Sequence, residues 1–172
     1  MTSNGLGNRL VPPPKVAAVG YLYQGDYAIP ILAMEELRKE GIDVLDLSLG
    51  ALKGSSELGF LNPGSLILMA AEKRGKQELR VYRPRIARGA METWLEIYSN
   101  VKGYYMDINS FLKVGSSLGV LPDMVTVVEC EVNNTEGFEL SAWGRECLEL
   151  MKNKTKQLLN IMDYSISEME IE

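Results

Sequence analysis

The run Leu66-Ile-Leu-Met-Ala-Ala71 is apolar at every position, and it restricts the fold more tightly than any other stretch. A strand with one wet face alternates apolar and polar residues, whereas a strand apolar throughout must be covered on both faces. That predicts a parallel strand inside a sheet with helices on either side. The flanking segments agree. Lys15–Gly20, Ile42–Leu47 and Met124–Val128 read as further strands. Between the first two lies a helix with an apolar stripe of Ile29, Leu32, Ala33 and Leu37; Asp26 is its candidate N-cap, Pro30 is tolerable in its first turn, and Gly41 ends it.

The alternating Glu78–Arg83 suits an edge strand, and Arg74-Gly75-Lys76 before it suits a tight antiparallel connection. The basic residues between Lys73 and Arg88 then read as a solvated hairpin, with a patch for an acidic partner as the alternative. Residues 84–104 are irregular apart from a short helix around Met91–Tyr98, and an amphipathic helix covers about Ile108–Leu118. A long helix begins after Ser141, its expected cap, carrying Trp143, Cys147, Leu150, Met151, Leu158 and Met162. Strand–helix alternation of this kind predicts an α/β fold: a three-layer αβα sandwich with a mainly parallel twisted sheet of about five strands and one antiparallel edge strand. A single domain over residues 15–164 is expected, between an N-terminal tail, 1–14, and an acidic C-terminal tail, 165–172.

Ligands of such sheets bind at the carboxyl ends of the strands. That rim is built from Tyr21–Asp26, Asp46–Gly50, Ala71–Lys73 and Glu129–Asn134. Its chemistry is restricted by composition, because the 172 residues include no histidine and hence no imidazole base or ligand. Cys130 and Cys147 lack a CxxC spacing, which argues against a disulfide framework or a zinc site; Cys130 reads as a small buried hydrophobe. The carboxylates Asp26, Asp46, Glu72, Asp107, Glu129 and Glu131 remain. Two or three together would suit a hard cation, while singly each suits a cap, a turn or the surface.

A net charge of −5 with interspersed signs argues against nucleic acid as a partner. No apolar run approaches the ~20 residues of a membrane span, and the N-terminus lacks a signal pattern. The expectation is a cytoplasmic protein without membrane insertion.

Taken in order, several segments resemble the maturation endopeptidases of nickel–iron hydrogenases. Val19-Gly-Tyr-Leu-Tyr-Gln-Gly-Asp-Tyr-Ala-Ile29 resembles the opening strand and turn of that family, and Val44-Leu-Asp46 its second strand. Leu66–Ala71 parallels a strand that normally ends in aspartate. Gly119–Val128 is similar to the later Gly-x-x-Pro strand entry, and Gly137-Phe-Glu-Leu-Ser141 to the start of the final helix. The resemblance implies an enzyme that removes a C-terminal peptide from a hydrogenase large subunit, with nickel carried by that subunit rather than held as a cofactor.

It also implies three metal-recognising positions, and here they carry Tyr27, Ala70 and, on or near, Tyr104. None is a metal ligand of the expected kind, since a free tyrosine titrates near ~10. No metal site is therefore expected. The weak catalytic candidates are Asp26, Asp46 and Glu72; Tyr21, Tyr23, Tyr27, Tyr104 and Tyr105 are candidates for binding a partner. The expectation is a non-catalytic assembly or chaperone-like factor for a hydrogenase large subunit or a related metalloprotein. The alternatives are an active endopeptidase with an altered acidic site, and a scaffold reused for unrelated protein binding.

Overall fold

The computed structural model describes residues 14–48, 64–84 and 124–171, with side chains of the last helix described as far as 160. The predicted helices at 91–98 and 108–118, together with Tyr104, Tyr105 and Asp107, lie outside the described residues.

Strand β1, Pro14–Ala18, leads through a 3-10 turn at Gly25–Ala28 into helix α1, Ile29–Lys39, and then strand β2, Val44–Asp46. Strands β3, Ser65–Glu72, β4, Leu79–Tyr82, and β5, Met124–Glu131, precede helix α2, Ala142–Ile171. The sheet order is β2-β1-β3-β5-β4, parallel except at β4, which runs antiparallel to β5 on the edge. This is the α/β sheet that the apolar runs predict.

One face of the sheet receives both helices. Val16, Ala18, Ile67, Met69, Val128 and Cys130 project onto it, against Ile29, Ala33, Met34 and Leu37 of α1 and Trp143, Cys147 and Met151 of α2. The α2 residues recur at a spacing of four, so one stripe of that helix enters the core. The Trp143 indole N–H, which burial would otherwise leave unpaired, donates to the Glu131 carbonyl at 2.9 Å. Leu66, Leu68, Ala70, Val125 and Val127 point to the other face and are buried too, as an apolar-throughout strand requires.

Three expectations are corrected. Cys130 and Cys147 form a disulfide between β5 and α2, although no spacing motif announces it. Asp26 does not cap α1: the N-cap is Ala28, without a side-chain bond, and Asp26 lies inside the preceding 3-10 turn. The basic stretch is no β3–β4 hairpin, because β5 lies between those strands; Arg74 and Arg80 pair with Glu129 and Glu131 of β5, while Lys73, Lys76 and Arg83 are exposed as expected. Helix α2 itself runs on to Ile171, since Ser-Glu-Met-Glu offers no Gly or Pro to end it.

Candidate functional site

The order of the strands reverses beside β1, since β2 lies on one side of it and β3 on the other. In parallel sheets ligands usually bind outside the carboxyl ends of the strands at such a reversal. Residues 19–28 follow β1, and residues 132–141 lead from β5 to α2. These two loops are joined by backbone pairing. Gly25 N–H donates to the Gly137 carbonyl at 3.0 Å, and Asp26 N–H to that of Asn134 at 2.7 Å. Gly25 has φ 57°, and a Cβ there would run into the Asn134 carbonyl, so only glycine allows this approach.

Asp26 fastens the junction. Its side chain is fully buried, and four donors converge on it. The Asn133 and Asn134 N–H groups reach Oδ2 at 2.9 and 3.0 Å, the Ser141 hydroxyl donates to the same oxygen at 2.7 Å, and Ser141 N–H donates to Oδ1 at 2.8 Å. Burial pushes the Asp26 carboxyl up, but the bonds from Asn134, Ser141 and Asn133 outweigh it and hold the group below its ordinary value. Ser141 meanwhile caps α2 as expected, its Oγ accepting Gly144 N–H at 2.9 Å. A side chain at Gly144 would collide with the Asp26 carboxylate. Asp26 is thus an anchor with its acceptor sites occupied, poorly suited to take a proton from a substrate.

The other carboxylates are engaged separately. Asp46, at the end of β2, accepts Ser48 N–H at 3.0 Å, a turn-forming bond. Glu72, half-buried, ends β3 in register with Glu131. Glu129, fully buried on β5, sits in register with Ala70 and accepts from Arg74 at 2.5 and 3.0 Å, Arg80 at 3.3 Å and the Tyr82 hydroxyl at 2.9 Å. Glu131 takes Arg80 Nη2 and the N–H groups of Arg74 and Gly75. Burial opposes the Glu131 charge, yet Arg80 and those backbone donors keep its carboxyl below the ordinary range. Burial and the neighbouring Glu129 charge push the Tyr82 phenol well above its ordinary value. Two acids and two arginines here balance in charge and are knit by hydrogen bonds, which is what makes ionised groups tolerable at this depth. Among the described residues no group of three His, Cys, Asp or Glu side chains could hold a metal ion.

The tyrosines divide by exposure. Tyr21 and Tyr27 are half-buried and joined through the Tyr21 N–H and the Tyr27 carbonyl at 2.9 Å. Tyr23 is 65% exposed and meets Phe138, itself 83% exposed, edge to face with ring centroids 4.8 Å apart. Phe138 was not among the sequence candidates; its signal is a lone aromatic within Asn-Asn-Thr-Glu-Gly-Phe-Glu, a run of turn-forming and charged residues. No helix among the described residues is long and apolar enough to cross a membrane.

No family model matches the sequence, and no curated protein does. Solved structures do match. The hydrogenase maturating endopeptidase HybD from E. coli aligns with a TM-score of 0.63 at 16% identity, over 86% of this chain and 92% of that one. The [NiFe] hydrogenase maturation protease HybD from Thermococcus kodakarensis aligns at 0.61 and 12%, over 86% and 99%. HycI, a maturation protease from the same organism, aligns at 0.58 and 18%, over 90% and 99%. The chain has the fold of the hydrogenase maturation endopeptidases.

Proposed function

We propose that this protein is a non-catalytic maturation-endopeptidase-like factor that binds a nickel–iron hydrogenase large subunit, or a related metalloprotein, during assembly. The observation that carries the reading is the state of the rim. The position at which the resemblance expects the β3 aspartate is Ala70, 1% exposed, and Asp26 is consumed in holding two loops together. Tyr27 supplies no carboxylate. A protein so arranged retains the scaffold that would meet a large subunit without the acids that would sense its nickel. Tyr21, Tyr23 and Tyr27, with Tyr104 and Tyr105, form the docking rim in this reading, and the cytoplasm is its compartment. Nickel belongs to the partner, and the protein needs no cofactor of its own.

The test is to incubate the purified protein with a nickel-loaded large-subunit precursor and follow both species by native and intact mass spectrometry. The expected result is a complex in which the precursor keeps its full mass. Loss of the C-terminal peptide overturns the non-catalytic reading, and absence of a complex overturns the choice of partner.

A further inference from the structure

Tyr23 has φ 66°, a left-handed conformation that glycine or asparagine adopts readily and bulky residues avoid. The backbone on its C-terminal side leaves little freedom, since Gly25 and Asp26 are bonded to Gly137 and Asn134. A glycine at position 23 would satisfy that turn without strain. The chain instead carries a large ring there and holds it in water, against the still more exposed ring of Phe138, with Leu22 beside them at 46% exposure. Two adjacent aromatic rings kept out of the core on a pinned backbone are what a binding surface uses: contact area with little ordering left to do.

The loop bearing Phe138 also has a sign. From Val132 to Ser141 it contains Glu136 and Glu139 and no basic residue, a net charge of −2. Glu136 and Glu139, on either side of Gly137 and Phe138, are exposed, and Asn134 fixes the turn by bonding Glu136 N–H at 3.3 Å and the Glu139 carbonyl at 2.9 Å. Arg145 is occupied with the Leu140 carbonyl at 3.1 Å. Aromatic faces bordered by carboxylates attract a guanidinium, which stacks on the ring while its charge meets the acids.

We propose that Tyr23 and Phe138, flanked by Glu136 and Glu139, form a preorganised platform that docks an arginine-bearing, otherwise apolar segment of a protein partner. This deepens the docking reading above and rests on it for the identity of the partner, though not for the chemistry of the segment.

The probes are two synthetic nonapeptides, alike except that one carries two central arginines and the other two glutamates. Each is titrated into the full-length protein and followed by amide and aromatic chemical shifts. The arginine peptide should shift Leu22–Gln24 and Glu136–Glu139 saturably, and the glutamate peptide should not. Phe138→Ala should weaken binding about tenfold, as loss of a central aromatic contact does, and the double variant Glu136→Gln, Glu139→Gln should flatten its salt dependence. Tyr23→Gly, which suits the local backbone, controls for loss of fold and should weaken binding likewise. Equal binding of both peptides, shifts confined elsewhere, or undiminished binding by Phe138→Ala and Tyr23→Gly overturns the proposal. A large-subunit precursor titrated in parallel separates the two readings: if it binds wild type and Phe138→Ala alike, the platform fails and the partner stands, and the reverse holds if only the peptide binds.

Discussion

Replacing Asp26 tests the junction on which the rim depends. Oδ2 serves three of its donors and Oδ1 the fourth. Asp26→Ala leaves three backbone N–H groups and a hydroxyl unpaired; at roughly 1–3 kcal/mol per buried donor, with water recovering part, the loss is about 3–6 kcal/mol. Total stabilities are only about 5–15 kcal/mol, so the more informative variant is Asp26→Asn. Its amide oxygen fits the Oδ2 position, which puts its NH2 against the Ser141 N–H, donor facing donor. One bond is lost and the other three lose the help of the negative charge, at a cost of about 2–3 kcal/mol.

The acidic limb supplies a second reading of the same experiment. The folded carboxyl lies below its free value of 3.8, so its contribution is complete above that pH and is lost as pH falls through the folded value. In urea unfolding, the gap between wild type and Asp26→Asn should hold from neutral pH down to about pH 5 and then narrow toward about pH 2. A gap under about 0.5 kcal/mol at neutral pH, the range of an ordinary surface substitution, refutes the anchor. A gap that does not narrow in acid refutes the role of the charge.

Gly144→Ala forces a methyl group onto the Asp26 carboxylate and should cost about 1–3 kcal/mol in the same assay. Glu129→Gln breaks a buried ion pair and should cost about 3 kcal/mol; removing the charge should also lower the Tyr82 phenol titration, read from the ring-carbon shift. The Cys130–Cys147 bond spans a separation of 17, and Cys147→Ser should cost about 3 kcal/mol by the chain-entropy account. Both cysteines are fully buried, so the native bond should resist a small thiol that reduces it readily in urea, as alkylation and intact mass would show. Tyr23→Gly should raise the unfolding midpoint, since it relieves a conformation costing roughly 1–2 kcal/mol.

What could be read from the sequence was whatever has a local signature. Leu66–Ala71 and Met124–Val128 announce buried strands by their apolar runs, the stripe from Ile29 to Leu37 announces α1, and Ser141 announces the start of α2. What escaped has its partner far away in the chain. Asp26 before an amphipathic stripe looks like a cap, and only the fold shows that its donors lie 107 to 115 residues later. Arg74 and Arg80 look like solvated charge until Glu129 and Glu131, about 50 residues on, come between β3 and β4. The cysteines carry no motif because the pairing is set by α2 crossing β5. Phe138 has a local signal, but an aromatic in a polar loop does not say by itself whether it turns inward.

The insertion of β5 between β3 and β4 also governs the order in which the fold can be completed. Among the described strands, β4 has no neighbour until Met124–Glu131 arrives, and β3 lacks one on that side. Pairings across such separations form slowly, because the intervening loop must close before any contact rewards it. Among the described residues, an emerging chain that stops short of Met124 leaves β3 and β4 without the strand that joins them, and an unpaired strand edge is a template for another chain. The growing polypeptide therefore passes through a sticky interval that ends only when Met124–Glu131 has left the ribosome, and its need of a chaperone is greatest within that interval.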